Sequence, residues 1–413
     1  MALSSKPFDD PAAEASQFLI RLGLAVLTIA APLAALVSRR AIFLLFPLGC
    51  GVILVGALLA PRRDAAQRMR AASFTRMGLF ALVLLGWAAL SLVWTPFREE
   101  AAERVLKVAG TLALAVAAGA VLPDRTRVAN LYLMPVGVVA AAIGAIALGL
   151  IGQSEGVAAA VETTVVERAV AILALMMWPA LGALMSRQRW SFAVVMPVLV
   201  GLAIVAADAP LVLIAVAAGA IAFAAALSDA PRTARILGAA FAALLLFAPL
   251  IPFAARLMVG GKTANLVGEL APMADWLAII RADGLRMFTG HGLDSAARSI
   301  AAGYLPQNAP RSALFDIWYE LGIVGAAAGA ALIHGTFRVA ARAHANAAPA
   351  LIGGVVTGLV IAAAGIGTAQ IAWLTIVAAA GVAFVAMVNG LYRTTRPISP
   401  SQSVAAPRRP AAG

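Results

Sequence analysis

Residues 281–325 read RADGLRMFTGHGLDSAARSIAAGYLPQNAPRSALFDIWYELGIVG. Arg281, Arg286, Arg298, Arg311 and His291 collect in the first part of this stretch. It then runs without a break into an apolar segment carrying Asp316 and Glu320. Carboxylates inside an apolar helix are costly in lipid unless they pair or meet water, so they mark a site. On both sides of this stretch the chain is almost continuously apolar, as a scaffold around it would be.

The 413 residues are 62% hydrophobic and 12% charged, with a mean hydropathy of +0.95. A soluble domain is about half apolar and roughly a quarter charged. The expected class is therefore all-α, a polytopic integral membrane protein. Cys50 is the single cysteine, so there is no disulfide framework. His291, His334 and His344 lack the spacing of a helical histidine pair, and no metal or cofactor is expected. The net charge of +12 comes from arginines scattered between apolar spans, which suits membrane lipid as a partner rather than nucleic acid. The polar, acidic start lacks the basic opening of a cleavable signal, so the first span is expected to be retained.

Apolar windows of about twenty residues fall near 18–37, 41–60, 77–95, 105–122, 131–151, 167–186, 191–207, 209–228, 234–255, 312–334, 349–366 and 369–391. This predicts about twelve transmembrane helices. The chain then divides into a cytoplasmic segment 1–17, a bundle of about nine helices over 18–255 and a long loop 256–311. About three helices follow over 312–391, and then a tail 392–413 too poor in apolar residues to fold. Basic residues concentrate in 61–76, 123–127, 186–189, 230–235 and 337–342. By the positive-inside rule these loops and both termini face the cytoplasm, and the long loop lies outside.

Apolar residues at helical spacing over 273–287 predict an amphipathic helix lying on the outer leaflet. Gly290-His291-Gly292 is a turn signal. Histidine titrates near neutrality, so His291 is either a general base or a surface residue. Pro310 and Ser312 suit a helix start, where outward amides and Arg311 would attract an anion. Asp316 and Glu320, spaced i, i+4, share a helix face. Near the other end of the chain, Trp94-Thr95-Pro96 reads as an interfacial anchor. Arg104 and Lys107 either snorkel to headgroups or hold a lipid diphosphate.

Several of these signals together resemble the O-antigen ligase and polymerase family of bacterial envelope enzymes. Leu90-Ser91-Leu92-Val93-Trp94-Thr95-Pro96 resembles that family's Ser-x-x-Trp span end, and Trp276 resembles the tryptophan before its loop helix. Gly290-His291-Gly292-Leu293-Asp294 resembles its Gly-x-Gly-Leu-Asp turn. Residues 317–325, IWYELGIVG, resemble its Glu-Leu-Gly-x-x-Gly span. The resemblance implies a metal-independent, inverting glycosyltransferase at the outer face of the bacterial inner membrane. Such an enzyme moves glycan from undecaprenyl diphosphate to a glycan or lipid acceptor. It implies that Arg281, Arg286, Arg298 and Arg311, with Gln307 and Asn308, bind the substrate. The family's Pro-His-Asn reads Pro306-Gln307-Asn308 here, and glutamine cannot take a proton. His291, Asp294 or Glu320 is then the expected catalytic base. Two other readings stay open: a non-catalytic relative that binds polyprenyl-linked glycan, and a transporter or permease.

Overall fold

Backbone amides and carbonyls in hydrocarbon find no water, so apolar windows satisfy them by closing into helices. The computed structural model describes residues 11–38, 40–59, 67, 70, 75–123, 128–154, 159–258, 271–282, 284, 286–365 and 371–390. Residues 1–10, most of the expected inner loop 61–76, residues 124–127 and the tail after Gly390 lie outside them.

The described residues are all-helical. The first half of the chain gives α1 (Pro11–Ala35, with a π-helical turn at Val26–Ala30), α2 (Ala41–Leu59), α3 (Arg76–Leu90) and α4 (Arg98–Val121). After a single turn at Val128–Leu131 come α5 (Leu133–Ser154), α6 (Ala159–Ser186), α7 (Trp190–Ala206) and α8 (Pro210–Leu246). Four short helices follow: α9 (Ile251–Met258), α10 (Ala271–Ala282), α11 (Arg286–Thr289) and α12 (Ser295–Ala301). The chain closes with α13 (Ala313–Arg342), α14 (Ala348–Ala364) and α15 (Ile371–Gly390).

Among the described residues, 9 helices are long and apolar enough to cross a membrane. Three shorter apolar helices, Trp190–Ala206, Ala248–Leu257 and Ala348–Ala363, accompany them. The windows 209–228 and 234–255 fall on two helical segments of α8, which meet at a break at Asp229 (φ −150°, ψ 88°). There the Asp229 carboxylate accepts the Arg232 amide at 2.9 Å and restarts the helix.

The bundle is built around α6. Its apolar window is 89% buried, against 11% for those of α3 and α4 at the rim. Trp178 on α6 is fully enclosed and donates its indole N–H to Thr357 Oγ1 on α14 at 2.9 Å. Gly353 and Gly354 lie against the same side chain, the small-residue contact by which helices approach closely in lipid. Leucines and isoleucines such as Leu44, Leu58 and Ile221 are exposed on the outside, a surface suited to hydrocarbon rather than water.

A second core lies away from that centre. Trp276 of α10, Ala296 and Ile300 of α12, and Phe315 and Trp318 of α13 pack together with Leu245 of α8. Ser312 caps α13 as its sequence suggests, its hydroxyl accepting the Phe315 amide at 3.3 Å. The helix expected over 273–287 is instead two pieces, α10 and α11, and its apolar face is not turned to a leaflet. Trp276 and Leu277 are 4% and 3% exposed. The Trp276 ring meets Phe315 edge-on at 5.6 Å, so a protein partner satisfies the face that periodicity assigned to lipid.

Candidate functional site

The site forms where α13 breaks. Gly322 sits at φ 61°, ψ −156°, a conformation open in practice only to glycine. A break withdraws the i+4 amides from the carbonyls just before it, and buried carbonyls need replacements. The loop after α11 and an indole supply them. The His291 amide donates to Tyr319 O at 2.8 Å and the Gly292 amide to Glu320 O at 2.9 Å. Trp87 Nε1 of α3 donates to Leu321 O, also at 2.9 Å. Gly290 (φ 73°) and Gly292 (φ 99°) turn this loop, and a side chain at either would strike the backbone of α13 or of Thr95. The Gly-His-Gly signal is thus a docking turn.

The end of α3 holds the next residue of the loop. Leu293 donates its amide to Ser91 Oγ at 3.0 Å, and Thr95 Oγ1 donates to the Leu293 carbonyl at 3.3 Å. Trp94, read from sequence as an interfacial anchor, leans on Trp87 with ring centroids 5.5 Å apart. The Ser-x-x-Trp stretch and the Gly-x-Gly-Leu-Asp turn, remote in sequence, therefore form one junction.

From this junction two neighbouring faces of α13 diverge. On one, Asp294 Oδ1 lies 2.6 Å from Arg104 Nη1 of α4, and Oδ2 lies 2.5 Å from Arg298 Nε of α12. Arg298 also reaches Glu100 Oε1 at 3.4 Å. Glu320 Oε1 accepts the Ala296 amide at 3.2 Å and lies 3.5 Å from Arg104 Nη1. The hydrogen bond to Asp294 raises the Arg298 guanidinium above its ordinary pKa. Slight desolvation opposes the shift, and the charges of Asp294, Glu100 and Glu103 support it.

On the other face Phe315, Trp318 and Tyr319 of α13, with Trp276, Arg286 and His291, line a cleft. The His291 ring stacks on Tyr319 at 4.0 Å with the planes 9° apart, and Tyr319 stacks in turn on Phe315 at 5.4 Å. His291 Nδ1 is 3.1 Å from the Tyr319 carbonyl oxygen. A carbonyl only accepts, so Nδ1 carries the proton and the lone pair of the neutral ring falls on Nε2.

The three expected catalytic residues therefore divide. His291 borders the cleft, whereas Asp294 and Glu320 share Arg104 beside it. Both oxygens of Asp294 are held by arginines, Arg104 and Arg298. The expected substrate-binding residues divide too. Arg286 borders the cleft, and Arg298 is engaged with Asp294 and Glu100. Arg281, Asn308 and Arg311 are exposed. Gln307 is also exposed, and its amide donates to the Ile300 carbonyl at 3.2 Å, tying the chain before α13 to the last turn of α12.

Arg104 is neither a snorkelling residue nor a surface phosphate ligand, because its side chain is 16% exposed and faces two carboxylates. Lys107, one turn on, pairs at the surface with Glu103. Sequence reasoning missed this difference and the part played by Glu100. The cluster of charge at the head of α4 was visible, but its partners lie about two hundred positions away. Among the described residues, no three His, Cys, Asp or Glu side chains converge in a way that would hold a metal ion. Comparison with family models, with curated proteins and with solved structures gives no match for this chain.

Proposed function

We propose that this chain is an O-antigen ligase-like membrane protein that transfers or polymerises glycan from undecaprenyl diphosphate. In this reading it sits in the bacterial inner membrane with both termini cytoplasmic and residues 256–311 at the periplasmic face. The observation that carries the proposal is His291 on the wall of an aromatic cleft, with Nδ1 3.1 Å from the Tyr319 carbonyl oxygen. An acceptor hydroxyl attacks the anomeric carbon of the lipid-linked sugar, and the new C–O bond forms as the bond to the diphosphate breaks. The electron pair leaves with undecaprenyl diphosphate, and the hydroxyl proton passes to Nε2 of His291. Arg286 at the cleft edge balances the charge that develops on the departing diphosphate, with Arg281 and Arg311 as exposed cations for the same lipid surface.

The test is transfer by purified protein in liposomes, with undecaprenyl-diphosphate-linked glycan as donor and released undecaprenyl diphosphate as the readout. His291→Ala should lower the rate by about 10²-fold or more while the donor still binds. A second reading is a non-catalytic relative that holds polyprenyl-linked glycan. It draws support from Gln307, whose amide ties two segments together at the position where the resemblance expects a base. Donor binding without product from any acceptor would select it. A permease draws support from the break in α13 beside buried ion pairs. Counter-flow of labelled substrate across sealed liposomes, without transfer, would select that reading instead.

A further inference from the structure

Asp294 stands at the N-cap position of α12, yet its side chain caps nothing there. The amide of Ala296 is served from another segment, by Glu320 Oε1 at 3.2 Å. Asp294 itself takes a left-handed backbone (φ 64°), unusual for a residue with a side chain. Arg104 and Arg298 grip its two oxygens. The two cations differ in setting, because the Arg298 side chain is 40% exposed and that of Arg104 16%. Only Arg104 reaches both Asp294 and Glu320, and so joins the loop to α13.

We propose that Arg104 is a positioning residue for His291, clamping the segment Gly290–Asp294 against α13 and so fixing the imidazole over Tyr319. The loop is pinned at its start by amides of His291 and Gly292 and in its middle by Ser91 and Thr95. Its far end is held by charge. Without the Arg104 guanidinium, the carboxylates of Asp294 and Glu320 face one another with no shared buried cation. Their repulsion then drives Asp294 outward toward the more exposed Arg298. Gly292 and Leu293 are the residues through which that displacement reaches His291.

The consequence for catalysis rests on the glycan-transfer reading, but the positioning itself can be read without it. Intact protein in detergent is treated with diethyl pyrocarbonate, and modification of the peptide carrying His291 is followed by mass spectrometry. Arg104→Gln should change the His291 modification rate by about tenfold or more, as release of a local contact does. Arg104→Lys, which keeps the charge, should stay within about threefold of the parent. Lys107→Ala, on the same helix but paired at the surface, should leave the rate unchanged. If Arg104→Gln does not fold, Asp294→Asn should produce the same change. A double variant with both substitutions should change it no more than either alone, the signature of a single shared interaction. His291 reactivity within about twofold of the parent in both folded single variants overturns the proposal. Absence of transfer from every protein, with the reactivity change intact, removes the glycan-transfer reading and leaves the positioning role standing. Full transfer by folded Arg104→Gln removes the positioning role alone.

Discussion

The first half of α13 presents two faces about a third of a turn apart, and they solve opposite problems. Phe315 and Tyr319 stack on each other and meet Trp276 edge-on and His291 face-on, respectively, and with Trp318 they line a cleft. Glu320 faces Arg104 and Asp294, and this face is closed by ion pairs and hydrogen bonds. A buried charge without a partner is costly, so a charged face inside a protein tends to close on itself. An aromatic face carries no such obligation and can stay open for a ligand. Carboxylates in a membrane helix drew the first suspicion of chemistry, but here Glu320 is engaged by Arg104 and the Ala296 amide, while His291 lines the cleft on the apolar side.

The largest effect should come from removing the break at which α13 meets the loop after α11. Gly322→Ala puts a side chain at φ 61° with its Cβ 2.6 Å from the Phe288 carbonyl oxygen. Strain and collision together should cost about 3 kcal/mol or more. Thermal unfolding in detergent reads this out, and an unshifted midpoint would show that α13 does not need the loop to complete it.

Next come single residues on each face. Glu320→Ala removes the cap on Ala296 and one partner of Arg104, and should cost about 3 kcal/mol. Tyr319→Leu on the other face loses ring contacts with His291 and Phe315, about 1 kcal/mol. Equal losses in stability would erase the distinction between a bracing face and a binding face. The smallest effect belongs at the rim. Arg298 and Glu100 are 40% and 42% exposed and lie 3.4 Å apart. Glu100→Gln should therefore change stability by less than about 0.5 kcal/mol, with Asp294 still holding Arg298. A larger loss would extend the brace outward to the surface of α4.

Much of this architecture was legible without coordinates because lipid imposes a simple rule. Long apolar windows must become helices, and the described residues of those windows are helical. The start of α13 at Ser312 and the turn at Gly290-His291-Gly292 follow from local chemistry of that kind. What windows could not show was how closely 209–228 and 234–255 are joined, since one aspartate cap at Asp229 restarts the helix directly after the break. Nor could periodicity tell protein from lipid as the partner of the α10 face, because both are apolar and Trp276 suits either.

Local sequence determined which residues break, turn and cap: Gly322 has to be glycine where the backbone turns left-handed, and Ser312 carries its own capping oxygen. Tertiary structure alone decided which charges meet. Arg104 finds Asp294 and Glu320 from about two hundred residues away, and Glu320 accepts the Ala296 amide at the start of α12 where Asp294 stands at the N-cap position. Helical spacing put Asp316 and Glu320 on one face but left open what would face them. Electrostatic pairing depends on distance and burial, and neither is written in the order of residues along a chain.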